Sequence, residues 1–184
     1  KSCERVQYLF PKAHAVAYVL MAYRIAYCKV HHPKHFYASY FTVRATDFDY
    51  THVSKGLPYV KNFIKSVYQQ GYKASATDKS TATYLELANE MMERGYQFEK
   101  IDLYKSHPTK FLITEKGLLP PIASLAGVGN TAALAIAEVR DLSNPFISRE
   151  DLRQRAGIGK SVVEHMAEAG ILNDLPESNQ IDLF

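Results

Sequence analysis

Two glycine-containing segments near the end of the chain have the residue types and spacing of an anion-binding turn. Residues 125–131 read Leu-Ala-Gly-Val-Gly-Asn-Thr, and thirty residues later residues 155–161 read Arg-Ala-Gly-Ile-Gly-Lys-Ser. Each copy has an apolar residue three positions ahead, Ile122 or Leu152, and an apolar-rich segment behind it. Glycine permits a tight turn and a close backbone approach. The N–H groups that open the next helix, helped by its dipole, would then bind a phosphate.

This pattern predicts two helix-hairpin-helix motifs, which hold the DNA backbone without reading its sequence. The alternative is that each Gly-x-Gly is only a turn between helices, but two copies at regular spacing favour DNA binding. The first copy has no basic residue in its hairpin, so we expect Lys160 to make the second copy bind more strongly. The predicted DNA-binding residues are Gly127, Val128, Gly129, Asn130, Thr131, Gly157, Ile158, Gly159, Lys160 and Ser161.

A second candidate site lies at the start of the first predicted helix. Lys12 and His14 fall in its first turn, and Tyr18 follows one turn later. A helix N-terminus with a lysine beside it is a phosphate site, and Phe10 or Tyr18 would stack on a base. The alternative is core packing, with His14 hydrogen-bonded inside the protein.

Two further groups of residues have the composition of metal ligands. Asp47 and Asp49 have the Asp-x-Asp spacing that can hold metal ions for phosphoryl transfer. They lie in a turn with no third carboxylate obviously nearby, and Asp is common in turns because its side chain binds nearby backbone. A histidine cluster at a helix end offers no cysteine and no matching second group for a closed metal site: His31, His32 and His35.

The elements that position these residues are mainly helices. The spacing of apolar residues predicts a mostly buried first helix with an inert core thiol at Cys28. Residues 74–83 are small and polar and indicate a loop or helix cap. The period then changes, which predicts two short strands around 98–103 and 111–113, joined through 105–108. The predicted helices are 11–30, 35–43, 55–70 and 84–94, with Gly71 and Gly95 as ends.

Composition and charge narrow the function classes. Apolar residues make up 47% and charged residues 22% of the 184 residues, so wholesale disorder is excluded. Two cysteines and no signal peptide indicate a soluble, cytoplasmic protein in a reducing compartment. The uncharged run 117–137 contains Pro120 and Pro121, so we expect no membrane span. Residues 1–79 carry twelve Lys or Arg against four Asp or Glu, a balance that suits a polyanionic partner.

The chain therefore divides into three predicted parts. Residues 1–95 form a helical part, residues 96–172 carry both hairpins, and residues 173–184 form a flexible tail. The tail ends in Gln180, Ile181, Asp182, Leu183 and Phe184, which would insert into an apolar groove of a partner. The alternative is a frayed terminus. Because the chain begins at Lys1 within sequence of helical pattern, we expect a fragment of a larger protein.

Several motifs resemble one protein family. Residues 8–15 read Tyr-Leu-Phe-Pro-Lys-Ala-His-Ala, and His32-Pro33 precedes Phe36-Tyr37-Ala38. These stretches resemble the fingers region of bacterial C-family replicative DNA polymerases. Ile-Asp-Leu-Tyr-Lys-Ser at 101–106, Leu-Pro-Pro at 119–121 and the Gly-Val-Gly hairpin resemble the PolC type, the DNA polymerase III alpha subunit of low-GC Gram-positive bacteria. The resemblance covers essentially the whole chain.

The resemblance implies a role for each part. Residues 1–95 would be part of the fingers and would bind the incoming dNTP, residues 96–172 would bind duplex primer-template DNA, and Gln180 to Phe184 would bind the sliding clamp (beta subunit). Ile181 replaces the usual Leu of the clamp motif. The family's metal-binding carboxylates belong to the palm, so the Mg²⁺-dependent nucleotidyltransferase is the parent polymerase, and this fragment would have no catalytic residue, metal or cofactor. The implied dNTP-binding residues are Phe10, Lys12, His14 and Tyr18, with Arg5 and Arg24 as weaker candidates.

Two other functions remain open at this point. The first is a complete, non-enzymatic helix-hairpin-helix DNA-binding protein, against which the missing Met and the start at Lys1 argue. The second is a free-standing nuclease that uses Asp47 and Asp49. The fold expected in every case is mainly α with a short β hairpin or strand pair, tandem helix-hairpin-helix motifs and a flexible C-terminal tail.

Overall fold

The chain forms a mainly helical fold with one small sheet, as the sequence predicts. This computed structural model describes residues 12–45 and 47–178. Short 3₁₀ turns lie at Gly71–Lys73 and Ile122–Ser124. The helices are α1 (Lys12–His31), α2 (Pro33–Val43), α3 (Tyr50–Val53), α4 (Leu57–Gln70), α5 (Ala76–Glu93), α6 (Asn130–Val139), α7 (Arg149–Ala156) and α8 (Lys160–Glu168).

The first helix differs from its prediction in one respect. Its extent agrees with the predicted range, but no residue of α1 is buried. Apolar side chains lie all around α1. The other described elements pack only on its C-terminal part, where it contacts α2. The prediction that most of α1 is buried is therefore wrong for this part of the chain. Cys28 is likewise exposed, so it is not a core thiol.

Local side chains set the limits of the next helices. Pro33 occupies the first turn of α2, where its missing N–H costs nothing. Asp49 begins α3, a helix that the sequence analysis missed, and Gly71 follows the last residue of α4. Of the two predictions for residues 74–83, the helix cap is confirmed, because Ser75 caps α5, and a loop through residue 83 is wrong, because α5 already begins at Ala76. The Ser75 hydroxyl accepts the Asp78 N–H at 2.9 Å, and the first buried residues of α5 are Thr81 and Ala82.

The sheet has three strands rather than two. Strand β1 (Gln97–Phe98) pairs in parallel with β3 (Gly117–Leu119), and β2 (Leu112–Ile113) pairs antiparallel with β3 on its other side. The predicted strand pair around 98–103 and 111–113 therefore does not form, because β3 lies between its members. Residues after β1 turn instead, since the Asp102 carboxylate accepts the N–H groups of Tyr104 and Lys105 at 2.9 and 2.8 Å.

One buried apolar cluster joins these elements. It runs from Phe41 of α2 through the sheet to the hairpin helices, and the Phe41 ring lies 5.4 Å from the Phe98 ring and 5.5 Å from the Phe111 ring. The cluster therefore continues across the proposed boundary at residue 95, which stays a prediction. Within the described residues, no helix has both the length and the apolar character needed to cross a bilayer.

Candidate nucleic-acid interface

Both Gly-x-Gly segments form the same turn in front of a helix. Gly127 and Gly157 have positive φ values of 80° and 62°, which a residue with a side chain adopts only with strain. The apolar middle residues are buried, Val128 at 3% and Ile158 at 8% exposure. The glycines are exposed, and so are the first two residues of α6 and α8. Each hairpin is thus fixed by its apolar residue while its backbone faces outwards.

The start of each second helix presents unpaired backbone donors. Gly129 and Gly159 are the N-cap residues of α6 and α8, and neither helix has a side-chain cap. Their first bonded turn begins at Ala133 and Val162, whose N–H groups donate to these glycine carbonyls at 3.0 and 3.2 Å. No acceptor within residues 12–45 and 47–178 meets the N–H groups that precede them, which are those of Gly129, Asn130, Thr131 and Ala132 in the first copy and of Gly159, Lys160 and Ser161 in the second. Such donors, at a positive helix end, suit an anion.

The two hairpins differ in charge. Lys160 opens α8, with its side chain 85% exposed and 3.5 Å from the carboxylate of Glu164. The corresponding residue in the first copy is Asn130, and residues 125–135 contain no Lys or Arg. An exposed lysine pair of this kind is held weakly, so Lys160 can exchange its partner for a phosphate. The exposed lysine agrees with the expectation that the second copy binds DNA more strongly than the first. The affinities themselves stay a prediction.

The hairpins also contact each other, through a residue that the sequence analysis missed. His165 of α8 lies against Gly127 of the first hairpin, where a Cβ would come within 2.7 Å of the imidazole Nδ1. That nitrogen donates to the Ser161 carbonyl at 2.6 Å, which fixes the ring. Gly127 thus permits both the turn and the packing of one hairpin on the other. No local pattern signals this contact, because its members lie 38 residues apart.

Arg155 holds the connection between the two motifs. Its guanidinium donates to the carbonyl of Val139, the last residue of α6, at 2.9 Å and to that of Asn144 at 3.2 Å. It also pairs with Asp151 at 3.4 Å and lies 4.5 Å over the Phe146 ring. The repeat aligns Arg155 with Leu125. Nothing in the sequence distinguishes Arg155 from a cation that contacts DNA. The structure assigns it to the support of the hairpins.

The residues of the second candidate site lie on an exposed helix. Lys12 is the first residue of α1, and the rings of His14 and Tyr18 stand edge to face with centroids 5.5 Å apart. Tyr18 is 53% exposed, so it is not a core residue. Arg24 lies further along, at an apolar groove between α1 and α2. Phe10 and Arg5 lie outside the described residues.

A cluster of charges attaches α1 to α5. The Glu90 carboxylate accepts Lys29 of α1 at 2.6 Å and the Tyr37 hydroxyl at 3.1 Å, and pairs with Arg94 at 2.9 Å. Burial and the neighbouring carboxylate raise the pKa of Tyr37 to about 12, so it donates as a phenol. Burial alone would raise the pKa of Glu90, but the donors from Lys29 and Tyr37 outweigh it and lower that pKa. This cluster fixes the direction in which α1 leaves the core.

The candidate metal ligands do not assemble. The Asp49 carboxylate accepts the Thr51 N–H at 2.8 Å as the cap of α3, which is the turn interpretation of this residue. The described ranges contain no group of three or more His, Cys, Asp or Glu side chains able to hold a metal ion. Among the described residues, therefore, no such group is available for the Mg²⁺ that the resemblance implies for the parent. The end of the chain, Gln180 to Phe184, lies outside the described residues.

Comparison with known proteins agrees with this geometry. Residues 95–181 match the family model described as a helix-hairpin-helix motif. The chain is 53% identical over 184 residues to "DNA polymerase III PolC-type" of Caldanaerobacter subterraneus subsp. tengcongensis. It is 52% identical over 183 residues to the protein of that name from Halalkalibacterium halodurans, and 48% identical over 183 residues to that from Bacillus subtilis. All of this chain is covered in each case, but it spans only 13% of each relative.

The fold and the paired hairpins define a protein of the helix-hairpin-helix class. The similarity along the whole of this chain confirms the narrower resemblance: the chain belongs to the PolC-type DNA polymerase III family and corresponds to a portion of its members.

Proposed function

We propose that this chain is a part of a chromosomal DNA polymerase that holds newly made duplex DNA by its backbone. The observation that carries the proposal is the pair of hairpins, each with backbone N–H groups at an exposed helix start that lack an acceptor within the described residues. Phosphate oxygens are acceptors for such groups, and contacts of this kind position DNA without specifying its sequence. Since a replicase must move over every sequence, backbone recognition suits its task.

The exposed helix α1 is proposed to face the incoming dNTP. Lys12 at the helix start would contact a phosphate, while His14 and Tyr18 would lie along the base or sugar. The exposure of these three side chains and the Glu90 cluster that fixes the base of α1 support this role. Arg24 lies three turns from Lys12 and is a weaker candidate, as are Phe10 and Arg5.

The C-terminal residues Gln180 to Phe184 are proposed to bind the sliding clamp, and thereby to tether the polymerase to DNA. The polymerase would need Mg²⁺ for nucleotidyl transfer, held by residues of other parts of the enzyme. This chain is proposed to contribute binding and positioning rather than the chemical step, and to be inactive alone. Asp49 is engaged as a helix cap, which disfavours a nuclease site at that position.

The direct test of backbone binding is an anisotropy titration with two fluorescent duplexes of unrelated sequence. We expect equal affinity for both duplexes, because the hairpin donors reach phosphates and no base edge. A strong preference for one sequence, or no binding to either duplex, would contradict the proposal. The matched control is Lys65→Gln, since Lys65 is an exposed cation on α4, whose main packing partners are α3 and α5.

Clamp binding needs a separate test. Calorimetry of the chain with a bacterial sliding clamp should show binding in the micromolar range, which is lost when the chain ends at Asn179. Binding that survives this truncation would place the clamp contact elsewhere in the chain. If neither the whole chain nor the truncated chain binds the clamp, only the proposed role in holding duplex DNA remains.

A further inference from the structure

A cleft beside the second hairpin contains arginines to which the hairpin motif assigns no role. Arg149 and Arg153 lie one turn apart on α7, and Lys160 at the start of α8 lines the same cleft, whose volume is about 500 Å³. The three cations therefore lie along a continuous surface with the free N–H groups of the second hairpin. At the first hairpin, residues 125–135 contain no cation, and Lys110 is the one cation of the cavity that Asn130 lines.

The partners of these arginines distinguish them from the supporting arginines. Arg140 donates to the carbonyls of Leu103 and Ser106 at 2.9 and 2.6 Å, and Arg155 is similarly engaged. By contrast, Arg149 and Arg153 form no side-chain hydrogen bond or ion pair within the part of the chain that the structure describes. The Arg149 Nε is fully buried and still has no partner. The two guanidinium groups thus lack an acceptor within the described residues, and an anion at the cleft surface would supply one to their accessible nitrogens.

The carboxylates of the cleft differ in how firmly they are engaged. Glu150 accepts Gln154 at 3.0 Å, and Glu164 pairs with Lys160. Glu177 comes from the C-terminal segment, whose backbone crosses the start of α7. There the carbonyls of Pro176 and Glu177 accept the N–H groups of Arg149 and Glu150 at 2.8 and 3.2 Å. The Glu177 carboxylate has no side-chain hydrogen bond or ion pair within the described residues, so it is the acidic group of the cleft that is left to face the arginines.

We propose that Arg149 and Arg153 form a further contact site for the DNA phosphate backbone, and that Glu177 competes with the phosphate for it. This inference rests on the proposed backbone binding by the hairpins. Arginine suits this position, because its planar fork of donors matches two phosphate oxygens. Duplex bound at the second hairpin would extend over α7 and displace Glu177, so DNA binding would loosen the segment that leads to the clamp peptide.

The test is a salt series of duplex titrations with four variants of the chain. Arg153→Gln should weaken duplex binding about fivefold on any sequence and reduce the slope of log K against log salt by about 0.9, the value for one lost phosphate contact. Arg153→Lys keeps the charge and should keep the slope. Glu177→Gln should strengthen binding about two- to threefold, because a competing charge is removed. Lys65→Gln should change neither quantity.

The outcomes separate this inference from the proposed function. If the wild-type chain binds duplex and Gly159→Leu weakens it, but Arg153→Gln leaves affinity and slope unchanged, the arginine site is wrong and the hairpin role stands. If Glu177→Gln has no effect while Arg153→Gln weakens binding, the competition is wrong. If the wild-type chain binds no duplex, the hairpin role and this inference fail together. Circular dichroism melting of each variant shows whether the fold is intact, and the exposed Arg153 has no contact whose loss would disturb it.

Discussion

The two hairpins share a Gly-x-Gly turn but are held and charged in different ways. In both, a glycine with positive φ is followed by a buried apolar residue and a glycine N-cap. The first hairpin has no cation and is pressed against His165, so it depends on packing. The second has open space at Gly157 and carries Lys160, with Arg149 and Arg153 beside it. The comparison shows that the repeated turn provides the donors, while the surroundings of each copy set its rigidity and its charge.

The largest effect should come from blocking both copies at once. In the variant with Gly129→Leu and Gly159→Leu, side chains would stand where the phosphates approach. Two lost hydrogen bonds to a charged group cost about 1.5–3 kcal/mol each, so duplex affinity should fall at least about a hundredfold in an anisotropy titration. A Cβ has no neighbour within 4 Å at Gly129, and only the Ser161 hydroxyl at 3.8 Å at Gly159, so the fold should persist. Unchanged affinity in a folded variant would rule out hairpin binding.

Stability should reveal the different packing of the first glycine of each copy. Gly127→Ala should lower the free energy of unfolding by about 2–4 kcal/mol, because positive φ costs about 1–2 kcal/mol and the His165 ring must also move. Gly157→Ala has only the φ cost of about 1–2 kcal/mol, since nothing lies within 4 Å of its Cβ. Urea denaturation measures both values. Combining Gly127→Ala with His165→Ala should recover part of the loss, and equal losses in the two single variants would contradict the packing difference.

Single blocking variants should rank the copies by affinity. Gly159→Leu should weaken duplex binding about three- to fivefold more than Gly129→Leu does, since the second hairpin also has the charge of Lys160. Lys160→Gln in each background provides the control, because it should remove this difference. Duplex titrations at one salt concentration measure all four proteins. An equal loss of duplex affinity in the two single variants would mean that Lys160 contributes nothing to the difference between the hairpins.

The smallest effect concerns the attachment of α1 to α5, which depends on the Glu90 carboxylate rather than on backbone donors. Because the folded pKa of Glu90 lies below its ordinary value of 4.5, its contribution to stability is present above pH 4.5 and is lost as the pH falls through the lower folded pKa. The melting temperature of Glu90→Gln should therefore lie below that of the wild type at neutral pH, and the two should converge in acid. A difference that stays constant with pH would contradict the attachment of α1 by Glu90.

Sequence patterns predicted the parts of the molecule that depend on neighbouring residues. Gly71 marks a helix limit because its effect on the backbone is local, and the Gly-x-Gly repeat marks both hairpins for the same reason. The missed features are contacts between distant residues, such as His165 on Gly127 and the insertion of β3 between β1 and β2. The exposure of α1 was missed because an apolar helix indicates a preference for burial without indicating which surface covers it.

Salt dependence of duplex binding, measured for the wild-type chain and for the double Gly129→Leu and Gly159→Leu variant, tests the central claim most directly. Phosphate contacts release counterions, so log K of the wild type should fall steeply and linearly with log salt, with a slope of about 0.9 for each contact. The double variant should bind weakly with a much smaller slope. A flat response of the wild type, or the same slope in both proteins, would contradict the account, because the DNA backbone would then not be held by the hairpins.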